Sequence, residues 1–408
     1  PVSFWILDNA SIFHGFNTNS IRGDFFGGLT AAVVALPLAL AFGVASGLGP
    51  LPGLYGAIIV GFFAALFGGT PTQITGPTGP MTLVVASIFL YFDKNIEIVF
   101  FIISLSGFIQ ILIGMSTLGE YVKKIPSSVV TGFMSGIGLI IISLQIPVLL
   151  GLGSEGSVIS SLSKLQNISN YNADALVIGL IGLLIVIFFP KKIDYLIPRP
   201  VIALISGTFL TSMYFANQDI IGQIPSGIPN FSIYIPTLQE LPEVLYFSLM
   251  LASLGIIDSL LTSVVADNMT KTSHLPNKES VGQGIGNIIS GFFGGLAGAG
   301  ATMRTVVNIQ SGGKTPFSGL VHSIILIMIL GVFGNYASMI PLAILAAILI
   351  KVGYDIIDWE FVSEIKSKSR IDIFVVLLVI FLIVFVNLIV AIFFGTLVSY
   401  FLKNFFEN

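Results

Sequence analysis

The sequence has no cysteine, which excludes disulfides and thiolate metal sites. Histidine is almost as scarce. His14, His274 and His322 stand far apart and offer no metal-ligating cluster. Charge is scarce as well: Asp, Glu, Lys and Arg make up 9% of the 408 residues, against about 25% in soluble domains. No nucleophile–base pair or cofactor motif can be traced, so neither an enzyme, a cofactor nor a nucleic-acid partner is expected. A secretory signal is also missing, because the polar segment ahead of Arg22 has no apolar stretch followed by a small-residue cleavage site. What the chain does have is apolar character, 55% hydrophobic residues with a mean hydropathy of +0.99. Long apolar runs recur from one end to the other, which marks an all-α polytopic membrane protein embedded in a lipid bilayer. The sequence opens on Pro1 and stops just after its last apolar run, as expected of a chain trimmed at one or both ends.

An amphipathic or loop-like start, Phe4 to Asn19, belongs to an N-terminal cytoplasmic segment over 1–22. The first half, 23–216, predicts spans near 25–47 (broken by Pro37), 52–68, 78–92, 96–118, 126–150, 174–190 and 198–216. A polar, Pro-rich connection over 217–242 separates it from the second half, 243–408. There the spans fall near 243–267, 280–294, 302–312, 317–335, 340–352, 370–386 and 388–403, with a charged amphipathic insert from Asp355 to Lys368. The segments at 78–92 and 302–312 are too short to cross about 30 Å of hydrocarbon as helices. With the N-terminus in the cytoplasm and every span crossing, 14 of the 17 Lys and Arg residues fall inside. Those on inside loops include Lys123, Lys124, Lys191 and Lys192; Lys94 and Lys164 fall outside, and Arg304 lies within a short helix. Seven spans per half make the halves inverted repeats, the architecture of secondary transporters. A bacterial inner membrane location with both termini cytoplasmic follows from this reading.

Two irregular stretches organise the rest. Gly294-Gly295-Leu296-Ala297-Gly298-Ala299-Gly300-Ala301-Thr302 interrupts the second half, and Gly68-Gly69-Thr70-Pro71 through Thr78-Gly79-Pro80 interrupts the first. A Gly-Phe-Phe element precedes each, at 61–63 and 291–293. Non-helical backbone at membrane depth is tolerated only where protein or a cavity satisfies it. Half-helix N-termini there present free N–H groups and a positive dipole end to an anion. The expected anion site is therefore Thr78, Gly79, Ala301, Thr302 and Met303, unless the small residues serve only helix packing. Asp258 is the acidic residue placed deep in a span, where an ionised carboxylate costs ~2.5–3.5 kcal/mol on insertion scales. Thr262 lies one helical turn on and shares its face. Together with carbonyls of the Gly298–Thr302 turn they make an oxygen set for a small monovalent cation. A proton carrier, or a structural partner of Arg304, are the other readings of Asp258. Arg304 either raises the local potential for an anion, pairs with an acid, or snorkels to the cytoplasmic face. Asp267, Lys271, Lys278 and Glu279 are expected at a cytoplasmic helix end, solvated or stabilising a gate.

In the blocks Asp24-Phe25-Phe26-Gly27-Gly28-Leu29-Thr30-Ala31-Ala32, Gly68-Gly69-Thr70-Pro71, Pro77-Thr78-Gly79-Pro80-Met81-Thr82, Leu261-Thr262-Ser263-Val264-Val265-Ala266-Asp267 and Gly298 through Asn308, the chain resembles the sulfate permease family of anion transporters. The likeness spans essentially the whole sequence, and within the family it is most similar to the cyanobacterial sodium-dependent bicarbonate transporters. It implies fourteen spans in a seven-plus-seven inverted repeat, a core domain that moves against a gate domain, and usual homodimerisation. It also implies an anion site between the third and tenth spans, lined by Thr78 and Ala301 to Met303, and a sodium site at Asp258, Thr262, Gly300 and Thr302. Family members usually carry a cytoplasmic STAS domain after the last span, which this sequence lacks. Arg304 is common among bacterial sulfate permease relatives generally and is not expected in the bicarbonate branch. Sodium-coupled bicarbonate symport is thus the expected activity; proton-driven sulfate or dicarboxylate transport is the alternative.

Overall fold

The computed structural model describes residues 14–15, 17–116, 126–153, 158–190, 198–215, 219–221, 234–337, 339–386 and 388–406. Most of the expected amphipathic start lies outside them, as do Lys123, Lys124, Lys191, Lys192 and much of the connection over 217–242. The described chain is mostly helical. Its first half forms α1 (Ile21–Ala45), α2 (Pro50–Phe67), β1 (Thr75–Gly76), α3 (Gly79–Tyr91), α4 (Ile96–Met115), α5 (Ser127–Leu149), α6 (Val158–Lys164), α7 (Ala173–Phe188) and α8 (Arg199–Tyr214). The second half forms α9 (Leu241–Thr270), α10 (Pro276–Phe292), β2 (Ala299–Gly300), α11 (Thr302–Gln310), α12 (Phe317–Ala337), α13 (Leu342–Ile356), α14 (Trp359–Ser363), α15 (Arg370–Phe385) and α16 (Leu388–Phe406).

Each apolar segment read from the sequence holds a helix. Among the described residues five of them, α1, α2, α4, α5 and α9, are by length and composition apolar enough to cross a membrane. A sixth follows if Val158–Asn170, which is α6 and the short 3-10 turn after it, and α7, bent by 120° at the break between them, count as one span. The break expected at Pro37 does not occur, because α1 runs through it. Proline removes one N–H and crowds the carbonyl four residues back, but Pro37 lies among the buried residues Ala35, Leu38, Ala39 and Leu40, whose packing holds the helix. Helix starts follow local chemistry: Asn95 accepts from the N–H groups of Glu97 and Ile98 at α4, and Asn172 from those of Asp174 and Ala175 at α7.

The chain folds into two compact units, each drawing on both halves of the sequence. The first takes Pro1–Val122 and Ile221–Ile340, hence α1–α4, β1, β2 and α9–α12. Within it α10 packs against α2 and α4, α12 against α1 and α2, and α9 against α4 and β2. The second takes Lys123–Ile220 and Pro341–Asn408, hence α5–α8 and α13–α16. There α5 packs against α13 and α15, and Asp358 at the start of α14 accepts a 2.7 Å hydrogen bond from Thr131 Oγ1 on α5.

In the first unit the two irregular stretches meet. β1 and β2 pair antiparallel, with Thr75 opposite Gly300 and Gly76 opposite Ala299. Ala301 N donates to Ile74 O at 2.9 Å, and Ile74 N donates to Thr305 Oγ1 at 3.0 Å. Each stretch thus satisfies backbone groups of the other, which is how non-helical chain survives in an apolar interior.

Candidate binding site

The strand pair ends in two short helices. Thr78 has extended backbone angles and is the N-cap of α3, yet its side chain makes no capping hydrogen bond. Its hydroxyl donates instead to Asp258 Oδ2 at 2.7 Å. Gly79 opens α3 and is buried. Ala301 is the N-cap of α11 and has no side-chain oxygen with which to cap, and Thr302 is the first residue of that helix. Neither half-helix has its first-turn N–H groups covered by its cap residue, so both keep donors and a positive dipole end for an anion. The Met303 side chain remains 45% exposed, outside the buried cluster.

Asp258 projects from the middle of α9 and is only 7% exposed. One turn on, Thr262 Oγ1 donates to Gly300 O at 3.0 Å and lies 2.8 Å from Thr302 Oγ1. Of the four residues expected to hold a cation, Thr262, Gly300 and the half-buried Thr302 are joined by hydrogen bonds, and Asp258 lies one helical turn before Thr262 on the same face of α9. The four offer a carboxylate, two hydroxyls and a peptide carbonyl, all hard oxygen donors with a single formal negative charge. Such a set suits a small monovalent cation better than Ca²⁺, which takes six to eight oxygens and more carboxylates. Among the described residues no group of three or more His, Cys, Asp or Glu side chains could hold a metal ion.

Arg304 is 2% exposed, so it does not snorkel to a membrane face. Nor does it form an ion pair with Asp258; its Nη2 donates to Pro77 O, in the turn just before Thr78. A Cβ on Gly76 would run into Arg304 Nη1, so the glycine lets the guanidinium lie against β1. The guanidinium, carried by one half-helix, thereby fastens the entry to the other.

Several polar residues around the crossing escaped the sequence reading. Asn287 on α10 grips residue 298 twice, accepting from Gly298 N at 2.8 Å and donating to Gly298 O at 3.0 Å. Ser259 Oγ accepts from Gly300 N at 2.9 Å. Glu279, expected to be solvated or to stabilise a gate, is 2% exposed. Its Oε2 accepts from Gly69 N and Thr70 N, both at 2.9 Å, and its Oε1 accepts from Gln73 Nε2 at 2.8 Å and Gln283 Nε2 at 2.7 Å. Four donors replace water around that carboxylate, which is why it can leave the surface. A signal for this face was present: Glu279, Gln283 and Asn287 recur every four residues along one side of α10. Asp267, by contrast, sits at the α9 end as expected, accepting from His274 N at 3.0 Å and contacting His274 Nδ1 at 2.6 Å.

Comparison with known proteins agrees with this architecture. The sulfate permease family profile matches residues 21–379. The bicarbonate transporter BicA of Picosynechococcus sp. is 46% identical over 393 residues, covering 93% of this chain and 69% of the relative. The putative sulfate transporter YvdB of Bacillus subtilis is 33% identical over 398 residues, covering 95% and 74%. Among solved structures, the transmembrane domain of a cyanobacterium bicarbonate transporter BicA superposes with a TM-score of 0.87 at 46% identity, covering 93% of this chain and all of that one. The relatives are transporters and not enzymes, and this chain belongs to the sulfate permease family as a multi-pass membrane anion transporter.

Proposed function

We propose that this protein is a sodium-dependent bicarbonate symporter that works by alternating access. The carrying observation is the 2.7 Å hydrogen bond from Thr78 to Asp258, which joins the half-helix offered to the anion to the carboxylate offered to the cation. One hydroxyl has one proton to donate. A sodium ion at Asp258, held also by Thr262, Thr302 and the Gly300 carbonyl, compensates the carboxylate and frees the Thr78 hydroxyl for an anion. Bicarbonate then binds at Thr78, Gly79 and the start of α11 over Ala301 to Met303, with Arg304 adding positive potential. The anion and the cation raise each other's affinity, as linkage requires. Likeness to the BicA relatives supports bicarbonate as cargo.

The same reading takes the membrane fold as fourteen spans in a seven-plus-seven inverted repeat, with the first compact unit as the moving core and the second as the gate. It places the protein in a bacterial inner membrane, both termini cytoplasmic, and as a homodimer. Likeness to the putative sulfate transporter YvdB and the buried Arg304 favour a second reading, sulfate or dicarboxylate transport driven by protons through Asp258.

Uptake of labelled bicarbonate into proteoliposomes, with an inward sodium gradient against matched potassium and choline controls, separates the two. Sodium-stimulated uptake that resists sulfate and disappears in Asp258→Ala is the expected result. Uptake indifferent to sodium, driven by a pH gradient and competed by sulfate, would replace the first reading with the second.

A further inference from the structure

We propose that Glu279 is a positioning residue for the cation site, acting through Gln73 and setting which alkali ion that site prefers. The inference rests on the sodium reading above. Gln73 lies on the turn that leads into β1, and its amide packs on the residue that offers the peptide carbonyl. A Cβ at Gly300 would fall 2.5 Å from Gln73 Nε2. That amide is held at both ends. Nε2 donates to Glu279 Oε1 at 2.8 Å, and Oε1 accepts from Ser263 Oγ at 3.1 Å. Ser263 also contacts Thr70 Oγ1 at 2.7 Å and lies one turn beyond Ser259, whose Oγ accepts from Gly300 N. A continuous hydrogen-bonded path thus runs from Glu279 on α10, through Gln73, to the α9 face that grips Gly300.

Only a carboxylate satisfies the Glu279 position. Each of its two oxygens accepts two N–H donors, from the Gly69–Thr70 backbone on one side and from Gln73 and Gln283 on the other. A glutamine there turns its NH₂ towards one of these donor pairs. If the amide faces Gln73 and Gln283, Gln73 loses its anchor. If it faces Gly69 and Thr70, the turn leading to Gln73 is released. In both cases the amide packed on Gly300 is loosened. Preference among ions of equal charge depends on how rigidly the oxygens hold their spacing, so the expected change is in selectivity as well as affinity. No hydrogen bond of the path involves Thr78, Gly79 or Ala301, so the anion side is expected to change less than the cation side.

The test compares wild type, Glu279→Gln, Glu279→Asp and Gln73→Met in proteoliposomes. It measures the half-saturating concentrations of sodium and lithium, and of bicarbonate at saturating sodium. Sodium-induced thermal stabilisation of the purified protein is a second readout that does not need transport. For Glu279→Gln we expect the sodium half-saturation to rise about 10-fold, the size usual for partners that orient a metal ligand. Bicarbonate half-saturation at saturating sodium should stay within about twofold, and the sodium-to-lithium preference should narrow. Glu279→Asp keeps both acceptor oxygens and should recover part of the sodium affinity. Gln73→Met removes the amide while leaving Glu279 its other three donors, so it should reproduce the shift even where Glu279→Gln folds poorly. If wild type responds to sodium and both Glu279→Gln and Gln73→Met keep its sodium affinity and ion preference, the positioning role is overturned and the transport reading stands. Equal losses for sodium and bicarbonate would reduce the path to a purely structural one and overturn it too. If wild type itself ignores sodium in both readouts, the sodium reading has failed and this inference falls with it.

Discussion

Thr78 and Asp258 are 180 positions apart in sequence and meet through a 2.7 Å hydrogen bond inside the first compact unit. Thr78 is an N-cap residue that does not cap, and Asp258 is a carboxylate that receives a hydroxyl where it could have received a cation. Replacing Thr78 by valine keeps the side-chain shape and removes the donor. A hydrogen bond to a charged group contributes about 1.5–3 kcal/mol, so Thr78→Val should lower bicarbonate uptake at subsaturating substrate by about 10-fold or more. It should also weaken the mutual dependence of bicarbonate and sodium. Measuring the sodium half-saturation at several bicarbonate concentrations checks this; a wild-type pattern of mutual dependence in the variant would separate Thr78 from coupling.

Thr262 and Thr302 share one hydrogen bond, and Thr262 also donates to Gly300 O. Thr262→Val removes a hydroxyl from the cation's oxygen set and leaves the Gly300 carbonyl without its donor. We expect the sodium half-saturation to rise about 10-fold, equivalent to about 1.4 kcal/mol. Thr302→Ser keeps the hydroxyl and should stay close to wild type, whereas Thr302→Ala should weaken sodium, bicarbonate or both. Serine and alanine variants with the same kinetics would remove the Thr302 hydroxyl from the site.

Much of this was legible in the sequence, and the parts that were not have identifiable causes. Asp258 and Thr262 could be placed together because helical spacing fixes a shared face within α9. The meeting of the two glycine-rich stretches was expected from their repetition, and pairing of β1 with β2 gives that meeting a register. Glu279 reads in the sequence, with Asp267, Lys271 and Lys278, as a helix-end charge that is solvated or stabilises a gate, and its burial is not legible there. Three of its four donors come from Gly69, Thr70 and Gln73, more than 200 positions away, and no local pattern reveals them. Arg304 could not be assigned for a similar reason. Its acceptor is the backbone carbonyl of Pro77, a partner with no side-chain signature.

Arg304 offers a test of the fold rather than of the cargo. Lysine in its place keeps the charge but has a single nitrogen and a different reach, so at a buried guanidinium site the exchange is not conservative. Leaving Pro77 O unpaired in the interior costs about 1–3 kcal/mol. Arg304→Lys should therefore lower the thermal midpoint of the purified protein. Gly76→Ala should do the same from the other side, because the added methyl runs into Arg304 Nη1. Since both changes disturb one contact, the double variant should lose less than the sum of the singles. Full additivity in thermal unfolding would show that the two residues act apart.

Asn287 allows the grip on residue 298 to be separated from side-chain volume. Its amide meets Gly298 with an acceptor for the N–H and a donor for the carbonyl, and the same Nδ2 donates to Gln110 Oε1 at 3.0 Å. Asn287→Ala leaves buried polar groups without partners, at about 1–3 kcal/mol for each one that water does not reach. Asn287→Asp is nearly isosteric, yet it turns a carboxylate oxygen towards two acceptors, Gly298 O and the Gln110 amide oxygen. The aspartate keeps one hydrogen bond, to Gly298 N, and adds both repulsion and a buried charge. It should therefore destabilise the protein at least as much as alanine does, despite being the smaller change in shape. Thermal unfolding of the two variants side by side decides this. An aspartate variant close to wild type, with alanine strongly destabilised, would mean that filling the space beside Gly298 matters more than the direction of its hydrogen bonds.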